Sequence, residues 1–156
     1  MRLAVAAALL TVGAALVSCG DDPGEDEPTA GEGAEMSGAA DETTCRADAR
    51  AVDEPYAGSF PAAWVFPPDT TVYHVEEQGS TGTIVTAVSE APFDDILDFL
   101  NQEEVDAGFT ITDGETEEDD AEANWTSEDH RGRWTIRKSA DCPGETVIQV
   151  LAVPAS

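Results

Sequence analysis

Twenty-four consecutive residues, Gly20 to Thr43, contain no Lys, Arg, Phe, Trp, Tyr, Ile, Leu or Val, and nine of them are Asp or Glu. Met36 and scattered alanines are the only sizeable apolar groups in this stretch. Such a segment cannot bury enough surface to offset the chain entropy lost on folding, so it is expected to be disordered. Like charges along it favour extended conformations. A flexible chain of this length spans roughly 25–30 Å, at about 5–6 Å times the square root of the residue number. The tract confines any hydrophobic core to residues 44–156, which is room for one domain.

Ahead of the tract, Met1-Arg2 is a short positive start, and Leu3 to Val17 is a 15-residue apolar run with Thr11 its only hydroxyl. A membrane-spanning helix needs about 20 such residues, so the run reads as the hydrophobic region of a signal peptide. Leu16-Val17-Ser18-Cys19 then gives an aliphatic residue, a tolerant position, a small residue and a cysteine. This resembles the lipobox of bacterial lipoproteins. The resemblance implies cleavage before Cys19, a diacylglycerol on its thiol, and Cys19 as the new N-terminus. It divides the chain into a signal peptide (1–18), a lipidated acidic tether (19–43) and a small extracytoplasmic domain (44–156). The expected location is the outer face of the cell membrane, where two acyl chains at about 0.8 kcal/mol per buried methylene suffice for stable anchoring.

Charge sets the next limits. The chain has 33 Asp+Glu and 7 Lys+Arg, a formal −26. Loss of residues 1–18 removes one Arg and no acid, leaving −27. With nine acids and no base in the tether, residues 44–156 keep 24 acids against 6 bases, about −18. Nucleic acid is excluded as a partner, because its phosphates would be repelled. An anionic bilayer would repel the domain as well, unless the lipid holds it there. Self-repulsion on this scale predicts stability that rises with salt, since the Debye length falls from about 10 Å at 0.1 M to about 3 Å at 1 M.

Once Cys19 is assigned to lipid, Cys45 and Cys142 remain, near the two ends of the domain. An even remainder in an exported chain implies a disulfide, and no CxxC spacing points to a metal or nucleophilic pair instead. Closing so long a loop contributes up to roughly 4–5 kcal/mol by the chain-entropy argument.

Within the domain, Phe66-Pro67-Pro68-Asp69-Thr70 stops any helix. Thr71–Glu76 and Thr83–Val88 are β-rich and flank the turn-like Gln78-Gly79-Ser80-Thr81-Gly82, which predicts a hairpin. A helix is expected from near Ser89 or Ala91, with Pro92 in its first turn and Asp94 and Asp95 facing the positive end of the dipole. Phe93, Ile96, Leu97 and Leu100 form its apolar stripe, and Gly108 ends it. Strands are expected at Phe109–Thr112, Ala121–Thr126, Arg133–Lys138 and Thr146–Val153. The order β-β-α-β-β-β-β predicts an α+β domain, an antiparallel sheet packed on one face by a single helix.

The Phe66-Pro67-Pro68-Asp69 start, the helix from Pro92 to Leu100 and Ala107-Gly108-Phe109 also resemble small exported domains in actinobacterial lipoproteins of unknown function. These are structural positions, so the resemblance assigns no active residue. High Ala, Gly, Asp and Glu with a single lysine resembles the composition of high-GC bacteria, salt-adapted ones among them.

Candidate chemistry is sparse. Gly114 to Glu122 holds six acids in nine positions, and calcium takes oxygen ligands, which makes Glu117, Glu118, Asp119, Asp120 and Glu122 an alternative divalent-cation site. The spacing lacks the D-x-[DN]-x-[DN]-G order and any internal glycine, so a solvated acidic turn is the expectation. Ser127-Glu128-Asp129-His130 sets hydroxyl, carboxylate and imidazole side by side, but triads assemble from separate segments. His74 and His130 are the only histidines, and a hydrolase built on either is the third reading. Asn124-Trp125-Thr126 fits a glycosylation pattern, which a bacterial lipobox makes incidental. Trp64, Phe66, Trp125 and Trp134 are candidate recognition residues, with Trp134 expected in the core. The leading expectation is a lipid-anchored, non-catalytic envelope protein without a cofactor. Its domain would bind an envelope protein or wall component, or help an assembly.

Overall fold

Pro67 and Pro68 close an irregular stretch, and β1 begins two residues later, in a computed structural model that describes residues 44–155 except 55 and 57. The elements are β1 (Thr70–Glu77), β2 (Thr83–Ser89), α1 (Phe93–Asp106), β3 (Thr110–Thr116), β4 (Asp120–Thr126), β5 (His130–Lys138) and β6 (Thr146–Pro154), with one 3-10 turn at Gly79–Thr81 inside the first hairpin. All six strands form one antiparallel sheet in the order β1-β2-β6-β5-β4-β3. The fold is therefore α+β, with a single helix on the sheet. After the first hairpin, α1 carries the chain to the far edge. The meander β3 to β6 then returns and lays β6 against β2 at the centre.

Alternation along the strands builds the core face in rows. Val72, Ala87, Ile148, Ile136 and Ala121 face one another across five strands, and Val75, Val85, Val150, Trp134 and Ala123 form the next row. The third row sets Ala152, Gly132 and Trp125 side by side. Small residues alternate with the two tryptophans, and this lets the large rings fill the layer without overlap. Gly132 is the tightest case, because a Cβ there would sit 1.8 Å from the Leu151 carbonyl oxygen and 2.6 Å from Cζ2 of Trp125. β2 and β6 are buried along nearly their whole length, as central strands covered on both faces must be.

The helix places Phe93, Ile96 and Leu100 in this core. Gly108, at φ 100°, ends it in the left-handed region that glycine adopts freely. The Phe109 N–H donates to the Glu104 carbonyl (3.0 Å) and the Gly108 N–H to that of Val105 (3.1 Å), the paired bonds of a Schellman ending.

Residues 44–69 lack periodicity, yet they matter to the core. The Val52 N–H donates to the Val72 carbonyl at the edge of β1 (3.0 Å), and Phe60 and Trp64 are buried. Two strands run longer than their alternation indicates. A register shift between Ile111 and Gly114 lets β3 continue to Thr116, and β5 begins at His130, paired with Pro154. Among the described residues no helix is long and apolar enough to cross a membrane.

Candidate functional site

Cys19 and the whole of residues 1–43 lie outside the described residues. Cys45 and Cys142 are joined as a disulfide with Cα atoms 5.7 Å apart, a normal separation for one. The cystine sits against the β5–β6 connection, where the Arg46 N–H donates to a Glu145 carboxylate oxygen (2.8 Å) and the Cys142 N–H to Ser139 Oγ (3.0 Å).

The acidic turn between β3 and β4 is held by cations of the protein itself. Lys138 Nζ donates to the Glu118 carbonyl (2.6 Å) and to Asp119 Oδ1 (3.1 Å), and lies 5.2 Å from the Phe93 ring centre. Arg137 meets Asp120 at 3.7 Å, and Arg133 meets Glu122 at 2.8 Å. The Lys138 ammonium is thus bonded to two of the turn's oxygens. Among the described residues, the one set of three or more His, Cys, Asp or Glu side chains with ligand atoms within 4.8 Å of one another is Cys45, Cys142 and Glu145. Its sulfurs are bonded to each other. Glu117, Glu118, Asp119, Asp120 and Glu122 form no such set.

Ser127 and His130 do meet, but to close a turn. Ser127 Oγ accepts the His130 N–H at 3.1 Å, and the Ser127 N–H donates to the His130 carbonyl at 2.7 Å. The hydroxyl therefore serves the backbone. His74 pairs with Thr86 on β1 and β2, whereas His130 pairs with Pro154 at one end of β5, so the two histidines do not share a site. Asn124 lies within β4, its carbonyl accepting the Thr112 hydroxyl (3.2 Å).

The tryptophans are interior. Trp125 and Trp134 are buried, and Trp64 stands 5.0 Å from Trp125 and 5.1 Å from Phe109 between ring centres. Phe66 is half-buried and stacks on Phe60 at 6.4 Å. Trp134 lies in the core as expected, and the candidate recognition residues Trp64, Phe66 and Trp125 belong to an aromatic cluster with Phe60 and Phe109 that fastens Phe60, Trp64 and Phe66 to β4 and the end of the helix.

Two features lie outside the sequence expectations. Glu104 is fully buried while its neighbour Val105 is 48% exposed. Four residues after Leu100, Glu104 continues the inward stripe Ile96–Leu100, and it occupies the Schellman position that usually packs an apolar group against the residue after glycine, here Phe109. One of its oxygens accepts the Val65 N–H (3.2 Å), and Oε2 has no partner. Burial pushes its carboxyl up to about 8; the Val65 bond pulls the other way without offsetting it. At neutral pH Glu104 is therefore largely a neutral acid. Spacing alone could have flagged it, since the stripe reaches position 104.

The second feature is a cleft of about 420 Å³ lined by three stretches: Pro67, Pro68 and Asp69; Glu90, Ala91 and Pro92; and Asp95, Ile96 and Phe99 of α1. Pro68 and Pro92 are exposed and Ala91 and Phe99 half-buried, so the lining offers apolar surface, and Asp69, Glu90 and Asp95 are exposed beside it. All three ion pairs among the described residues lie between β5 and the acids of the turn and β4, and none involves the cleft carboxylates. Asp69 has φ 61°, and is the one non-glycine in the left-handed region among the described residues. Asp tolerates that conformation better than most side chains.

Comparison of the chain with protein families, with curated proteins and with solved structures finds no match.

Proposed function

We propose that the chain is a lipid-anchored protein of the cell envelope whose domain is a non-catalytic binding or assembly module on the extracytoplasmic face. The observation that supports this most is the pairing of Cys45 with Cys142. It leaves Cys19 as the single remaining cysteine of the chain, at the position where the lipobox resemblance needs a free thiol. Stable disulfides also belong to exported proteins. The binding role is supported by the unpaired, partly apolar cleft, a type of surface that ligands commonly use. The membrane is then one partner through the lipid, and an envelope protein or wall component is the other.

Neither alternative gains support from the geometry. The calcium reading meets Lys138, Arg137 and Arg133 already paired with Asp119, Asp120 and Glu122, and the hydrolase reading meets two histidines on separate parts of the sheet. The test is photo-crosslinking in intact cells producing either the native chain or Cys19→Ala. The proposal expects a recurrent adduct that requires membrane attachment, with the Cys19→Ala chain released from the membrane fraction. Repeated recovery of no adduct, or unchanged fractionation of Cys19→Ala, contradicts it.

A further inference from the structure

Resting on the reading of this domain as a binding module, we infer that the cleft between the Pro67–Asp69 turn and the first turns of α1 receives a basic peptide segment of a partner protein, a Lys or Arg flanked by apolar residues. Three observations fix that chemistry. The first is sign. Asp69, Glu90 and Asp95 line one cleft and no cation of the described residues pairs with them, in a domain of about −18 that steers cations towards itself. The positive end of α1 also faces this region, but Asp94 and Asp95 in the first turn oppose it.

The second observation is spacing. No three of these carboxylates bring oxygens within 4.8 Å of one another, since the set found among the described residues lies elsewhere. A calcium ion takes six to eight converging oxygens at about 2.3–2.6 Å. Carboxylates set further apart suit a larger organic cation, whose donors are spread along a side chain.

The third is the lining. The exposed Pro68 and Pro92 and the half-buried Ala91 and Phe99 provide apolar surface for the methylene stem of Lys or Arg and for an apolar neighbour. Long basic side chains commonly lay their stems on such surfaces while the charged head stays at the rim. The half-buried Phe99 ring adds a face to which a cation is attracted. At about 420 Å³ the space matches a few side chains and not a folded domain.

The test uses the full-length chain in non-ionic detergent and a labelled, capped peptide of sequence Ala-Leu-Lys-Lys-Leu-Ala, read by fluorescence anisotropy at 0.15 M NaCl. Two triple variants remove the same charge: Asp69→Asn/Glu90→Gln/Asp95→Asn in the cleft, and Asp106→Asn/Glu117→Gln/Glu118→Gln outside it. Binding should weaken about tenfold in the first, a few-fold for each exposed charge pair lost, and less than about twofold in the second, where only the screened long-range field changes. The same peptide with Glu in place of Lys should not bind. Equal weakening in both variants, or none in the cleft variant, overturns the assignment. Should the triple cleft variant melt below the native chain, the double variant Glu90→Gln/Asp95→Asn repeats the comparison without touching the Asp69 turn. In cells the two levels separate. A cleft variant that still forms the native crosslinked adduct overturns the cleft while leaving the binding module standing. Loss of every adduct from the native chain removes the module itself.

Discussion

Replacing Glu104 by Gln should change the pH dependence of stability in a defined direction. The native carboxyl holds its proton up to about 8, against an ordinary value of 4.5 in the unfolded chain. Below about 4.5 both states are protonated and Glu104 costs nothing. As the pH rises, the unfolded state ionises first and is favoured by about 1.4 kcal/mol per pH unit until the folded carboxyl also ionises near 8. Across that window the fold loses roughly 4–5 kcal/mol. Gln keeps the acceptor for the Val65 N–H but buries an amide without a partner, costing about 1–3 kcal/mol at every pH. The variant should therefore be less stable than the native protein at pH 4.5 and more stable, by about 2 kcal/mol, at pH 8–9. Urea denaturation at pH 4.5, 6, 7, 8 and 9 gives the difference between the two proteins, in which the other titrating groups cancel. A difference that stays flat across this range would refute the buried neutral acid.

Reducing the Cys45–Cys142 bond, which spans 97 residues, should lower stability by up to roughly 4–5 kcal/mol; an unchanged melting temperature in reductant contradicts a structural role for it. Gly132→Ala should cost about 3 kcal/mol or more, because the added methyl meets the Leu151 carbonyl and the Trp125 ring, and an unaltered urea midpoint would mean that Trp125 does not lie over Gly132. Calcium chloride should raise the melting temperature no further than sodium chloride at matched ionic strength, both rising as self-repulsion is screened. A saturable gain specific to calcium would show by binding linkage that the β3–β4 acids hold an ion despite Lys138.

Much of the domain was legible because local signals and tertiary demands agree. Trp134 and Ile136 sit on an alternating strand and Phe93, Ile96 and Leu100 on a helical stripe, while β2 and β6 show as β-branched or apolar runs, as strands buried on both faces do. Strand order was not legible. Nothing local to β2 or β6 announces that these two pair, and only the closed sheet shows it. Residues 44–69 were opaque because aromatic packing, not periodic structure, holds Phe60, Trp64 and Phe66. Trp64 fits surface or core by residue type alone, and its burial decides between them. Glu104 is hidden by its type, since charge ends a hydrophobic stripe although its spacing continues the stripe. The cleft is not legible because it joins three stretches apart in sequence, and prolines such as Pro67, Pro68 and Pro92 mark chain breaks without showing what they enclose.

The intact mass of the protein extracted from the membrane fraction of producing cells, before and after alkylation without reductant, tests the account most directly. The account predicts a chain beginning at Cys19, heavier by at least one diacylglycerol, lighter by two hydrogens for the disulfide, and taking up no alkylating agent. An unlipidated chain, a chain retaining Met1, or two alkylated thiols at Cys45 and Cys142 would contradict it.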